Sequence, residues 1–95
     1  MRVLFQVDLI FPAGGRGTPH AFFRKETDLD FPPQPAVPVE HPTWHDPRHI
    51  LTMSLNLEDQ SYLVALTPEQ AHNQQECDAL IKMYKSHEWS VHPDD

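Results

Sequence analysis

The chain has 95 residues, 39% of them hydrophobic and 22% charged, which is globular usage with room for one small compact domain over residues 1–95. Fourteen Asp and Glu against seven Lys and Arg leave a formal charge of −7, which speaks against a general binder of nucleic acid or of anionic membrane. A single cysteine, Cys77, excludes an internal disulfide and fits a reducing, cytoplasmic setting, and no run approaches the roughly 20 apolar residues of a membrane span.

Val3, Phe5, Val7, Leu9 and Phe11 fall on alternate positions, the period of a strand with one apolar face. The stretch from Pro12 to Pro19, with three glycines, breaks that pattern and reads as a flexible connection. It is no phosphate cradle, since it lacks a Lys-Ser or Lys-Thr pair and leads into no helix. A second strand is expected from Ala21 to Phe31, with Phe23, Thr27, Leu29 and Phe31 on one face and Lys25 as the exception among them. Pro32, Pro33, Pro35, Pro38, Pro42 and Pro47 exclude helix over about 32–48, because each lacks an amide donor and clashes with the preceding turn. Val37 and Val39 are compatible with a short edge strand there.

Leu51, Met53, Leu55 and Leu57 alternate with polar residues, and Tyr62, Val64 and Leu66 alternate after them. A tight turn centred on Asp59-Gln60 sets Leu57 against Tyr62, Leu55 against Val64 and Met53 against Leu66, so one hairpin gathers all six on one face. Thr67-Pro68-Glu69-Gln70 reads as a helix start, with a capping side chain, a first-turn proline and capping-box spacing. The helix is expected over about 68–87, with Cys77, Leu80, Ile81 and Tyr84 as its apolar stripe. Trp89 and Val91 then fold back onto the core, and residues 92–95 fray.

These elements make an α+β domain: a small antiparallel sheet of four to five strands with one C-terminal helix. In strand count and loop placement it resembles an SH3-like, partly open barrel.

Histidine is over-represented, with seven in the chain, and His41, His45 and His49 recur at four-residue spacing with Asp46 among them. In a straight strand, residues four apart are roughly 13 Å from each other, so a turn at Asp46-Pro47 is needed to bring His45 and His49 together, with His41 or His20 as a third ligand. That is one expectation, a site for zinc or a similar divalent ion. The other is a solvated loop stiffened by its prolines. Cys77 shares its stripe with Leu80, Ile81 and Tyr84, which marks an inert buried thiol. No catalytic constellation emerges, so an enzyme is not expected.

Phe22 and Arg24 set an aromatic beside a basic side chain, a pairing that can grip a partner, but Glu26, Asp28 and Asp30 follow and speak against nucleic acid. Trp44 sits in the stiffened loop near Arg48, where it serves either as an exposed anchor or as a plug for one end of the sheet. The reading that absorbs most of these features is a non-enzymatic protein-interaction module contacting an unknown protein partner through Trp44, Arg48, Phe22 and Arg24. Its rivals are a metal-binding protein or small metal-dependent enzyme using His41, His45, His49 and Asp46, and an acidic inhibitor of a nucleic-acid-binding machine. An edge strand at 21–31 or 37–40 offers a route to a homodimer.

Overall fold

A computed structural model of the chain describes residues 1–11 and 20–93, so the glycine-rich connection expected at 12–19 and the last two residues lie outside it. Strands β1 (Arg2–Ile10), β2 (Ala21–Asp28), β3 (Ile50–Asn56), β4 (Ser61–Leu66) and β5 (Glu69–Gln70) precede helix α1 (Gln74–Ser86) and strand β6 (Ser90–Pro93). They form a small α+β domain on one sheet of order β3-β4-β1-β2-β6, with β5 also pairing with β1.

The sheet is mixed, which corrects the antiparallel expectation. β1 runs antiparallel to β2 but parallel to β4 and β5. Parallel neighbours cannot be joined by a hairpin and need a crossover. Residues 29–49 supply it, carrying the chain from β2, on one side of β1, to β3 at the far edge beyond β4. α1 makes the return crossing to β6, beyond β2. The sheet stays open and does not close into an SH3-like barrel.

The core lies on one face. Val3, Val7 and Leu9 of β1, Phe23 of β2, and Val64 and Leu66 of β4 are buried against Cys77 and Tyr84 of α1 and Trp89 beyond it. The Phe23 and Tyr84 rings stack with centroids 3.9 Å apart and planes 5° from parallel. By strand alternation the opposite face carries Gln6, Asp8, Phe22 and Arg24, none of them fully buried.

The β3–β4 hairpin forms, two residues out of the expected register. Leu55 pairs with Tyr62 and Met53 with Val64, around a four-residue turn over 57–60. Asn56 Oδ1 accepts from the Glu58 and Asp59 amides at 3.0 and 3.2 Å, and Gln60 takes a positive φ of 54°. This side-chain-built turn outcompetes the two-residue one. A slip of two keeps each residue on its face, so Met53 and Leu55 still point the expected way while Leu57 is left 80% exposed.

The helix starts at Gln74, not near Pro68. Thr67-Pro68 instead interrupts the strand between β4 and β5. Asn73 caps the helix, its Oδ1 accepting from the Glu76 amide at 2.8 Å, and the Glu76 carboxylate accepts from the His72 amide at 2.8 Å. At the far end Glu88 takes a positive φ of 68°, the Glu88 amide donates to Lys85 O and the Trp89 amide to Tyr84 O, each at 3.0 Å. This left-handed stop throws Trp89 onto the core and starts β6, so His92 belongs to a strand rather than a frayed end.

The edge assignment also changes. β6 pairs with Ala21–Arg24, so that half of β2 is interior. Among the described residues Lys25–Asp28 pair with β1 alone, and the strand ends at Asp28, short of the expected Phe31. Residues 37–40 contribute a single bridge, Val39 to Arg48. Among the described residues β3 pairs only with β4 and is the long free edge.

Candidate functional site: the groove under the proline strap

Lys25, the residue that broke the apolar pattern of β2, lies on the core face just past the end of α1. Its ammonium donates to His87 O at 2.9 Å, at the end of the helix where the carbonyls carry partial negative charge. Beyond that point the sheet is covered by the proline-rich strap, residues 31–49.

The strap cannot pair continuously with the sheet, because its prolines lack amide donors. It is held at separate points instead. Val39 and Arg48 exchange backbone hydrogen bonds of 2.8 and 2.9 Å, closing a ten-residue loop within the strap itself. Arg48 then reaches the interrupted segment between β4 and β5: its guanidinium donates to Thr67 O at 2.9 Å and Pro68 O at 3.1 Å, and pairs with Glu69. It also lies over the Trp44 ring, 5.5 Å from the centroid.

Inside the loop, Thr43 is buried and organises two aromatic rings. Its Oγ1 accepts from the Trp89 indole N–H at 3.0 Å, which leaves the hydroxyl proton for His41 Nδ1 at 2.6 Å. The Thr43 amide donates to the same nitrogen at 3.2 Å. Nδ1 is therefore an acceptor, and the neutral ring carries its proton on Nε2. Burial, the Lys25 ammonium and His87 all hold the His41 pKa below its ordinary value. Trp44 donates its indole N–H to the Tyr84 hydroxyl at 2.8 Å. Burial pushes the Tyr84 phenol up, with the Trp44 hydrogen bond opposing it. Trp44 is thus half-buried and hydrogen-bonded into the core, between the two roles expected of it.

Between strap and sheet lies a groove of about 430 Å³. Phe5, Leu29 and Ile50 line it from the sheet side, Val37, Val39 and Trp44 from the strap, and Trp89 from the helix end. Lys25, Thr27 and His41 are its half-buried polar members, while Gln34 and Glu40 are exposed. Phe31 and Val37, also in the lining, remain 67% and 57% exposed.

The predicted ligand set does not converge. His45, Asp46 and His49 are exposed, while His41 has its Nδ1 engaged by Thr43. Among the described residues no three His, Cys, Asp or Glu side chains come together as a metal site would require. The four predicted partner contacts divide between two faces. Trp44 and Arg48 belong to the strap, and Phe22 and Arg24 to the opposite face of the sheet. There the Arg24 guanidinium lies 4.7 Å from the Phe22 ring centroid, its Nε donates to Gln6 Oε1 at 2.8 Å, and Phe22 stacks on His92 at 5.4 Å. Cys77 is buried, and burial, then Asp78, raise its pKa.

Sequence reasoning passed over Phe5, Lys25, Ile50 and Trp89 as groove residues. Lys25 carried a usable signal, since a cation at a core-facing strand position needs a polar reason to be there. No helix among the described residues is long and apolar enough to cross a membrane. No family model, curated protein or solved structure matches the chain.

Proposed function

We propose that the protein is a non-enzymatic protein-interaction module whose recognition surface is the strap groove, taking an apolar side chain from an extended partner segment. The observation that carries this reading is the groove itself, an aromatic-lined cleft of about 430 Å³ with exposed Phe31 and Val37 in its lining. That volume lies within the roughly 300–1,000 Å³ of ligand-binding clefts. The strap is already fastened through Arg48, Thr43 and Trp44, so little ordering remains to oppose binding.

The chain's two tryptophans both line the groove, so intrinsic emission reports its occupancy. Peptides selected from a random library against the protein are expected to share an apolar residue, to shift that emission, and to lose binding to Val37→Asp. Selected peptides that bind Val37→Asp unchanged, with no emission change, overturn the reading.

A second reading rests on β3. This free edge has no charged residue from Ile50 to Leu57 in a chain of net charge −7, and Leu51 and Leu55 are 59% and 50% exposed. Uncharged edges invite strand pairing, and pairing two copies here keeps like charges apart. Sedimentation of the wild type against Ser54→Lys tests it: a concentration-dependent dimer that the lysine abolishes supports the reading, and a monomer at all concentrations removes it.

A further inference from the structure

We propose that the segment entering the groove carries a carboxylate beside its apolar side chain, received by Lys25 and His41. This rests on the groove being the recognition surface. The inference comes from an imbalance of donors over acceptors. The Lys25 ammonium has three N–H groups, and His87 O takes one of them. Among the described residues no carboxylate lies within ion-pair distance of Lys25; Glu40, the acidic residue of the lining, is exposed and forms no such pair. His41 adds a second donor. With Nδ1 accepting from Thr43, its proton is on Nε2, and no acceptor for it is found among the described residues.

An ammonium and an imidazole N–H thus share a cleft whose other half-buried walls are apolar but for the Thr27 hydroxyl. A ligand amine placed there meets the like charge of Lys25, which disfavours it. A neutral apolar group fills the space and leaves the donors unanswered. A carboxylate answers both, and its hydrogen bonds are strengthened by charge and by apolar surroundings. Two donor side chains suit a monoanion better than a phosphate dianion, which draws on several cationic donors.

Titration of ¹⁵N-labelled protein at pH 7 with N-acetyl-phenylalanine and, separately, with its C-terminal amide tests the inference, read at the Trp44 and Trp89 indole N–H signals. The acid is expected to bind about tenfold more tightly than the amide, the gain of one charge-assisted pair. Lys25→Met should abolish that preference without weakening the amide, and Lys25→Arg should keep it. Equal binding of acid and amide by the wild type overturns the carboxylate inference and leaves the groove reading standing. A preference that persists in Lys25→Met also overturns it. Silence of both indole signals with both probes overturns the groove reading, and this inference with it. The wild-type comparison alone decides the matter if the methionine variant does not fold.

Discussion

α1 and the proline strap cross the same face of the sheet, yet the helix lies down on it while the strap stands away. The helix satisfies its own backbone groups and can present Cys77 and Tyr84 flat against Phe23 and its neighbours. The strap lacks an amide at six prolines and has only the Val39–Arg48 bridge within it, so side chains fasten it at discrete points and it bridges the space between them. One crossing makes core, the other makes a cleft. The lesson is that a run of prolines can serve as a rigid span, holding a gap open where a helix would have closed it.

The largest test of that contrast is Phe23→Ala. Emptying the ring stack under α1 is expected to cost about 3–5 kcal/mol, and circular dichroism melts should show sheet and helix lost together. Arg48→Met should act on the strap instead. It strands the partly buried Glu69 carboxylate and two carbonyls, at about 2 kcal/mol. Amide exchange should accelerate at Val39 and Arg48 while α1 keeps its protection; uniform acceleration would show that strap and helix are one cooperative unit. Glu88→Gly relieves the left-handed residue that ends α1 and should stabilise the protein by about 1 kcal/mol, seen as a higher melting temperature.

The smallest effect is the pH response of the strap. The fold lowers the His41 pKa, so the unfolded chain takes the proton first, near the ordinary value of about 6.5. The stability tied to this group is complete above that pH and is lost as pH falls through the lowered folded-state value. Melting temperatures of wild type and His41→Gln, compared from pH 7.5 to 5, should converge as the solution becomes acidic. A gap that stays constant over that range would remove His41 from the account.

Local periodicity made β1, β2 and the β3–β4 hairpin readable, because apolar residues recur at every second position, although in β3 that face stays largely exposed at Leu51 and Leu55. What escaped was set at longer range or by single side chains. The parallel pairing of β1 with β4 depends on where residues 29–49 carry the chain, which alternation does not encode. Thr67-Pro68 mimics a helix start, but Glu69-Gln70 pair with β1 and the helix waits for Asn73, whose spacing to Glu76 was an equally good cap. The hairpin register turned on Asn56 holding two amides. As for the site, Trp44, Arg48 and His41 were visible as unusual residues of a stiff loop. Their joint with Tyr84, Trp89 and Lys25 was not, since it links positions about forty residues or more apart or residues on separate elements.

The parallel neighbours of β1 also govern the order in which the molecule can assemble. β1 leaves the ribosome first and finds β2 early, but its other edge stays unsatisfied until Ser61–Leu66 and then Glu69–Gln70 have been made. Until Gln74–Ser86 has been made, Val3, Val7 and Leu9 therefore wait without the helix that covers them. Long-range pairing of this kind slows folding and exposes a sticky intermediate. A nascent chain halted before residue 61 is expected to hold a two-stranded, aggregation-prone ribbon, and completion of β4 is the step that commits it to the native sheet.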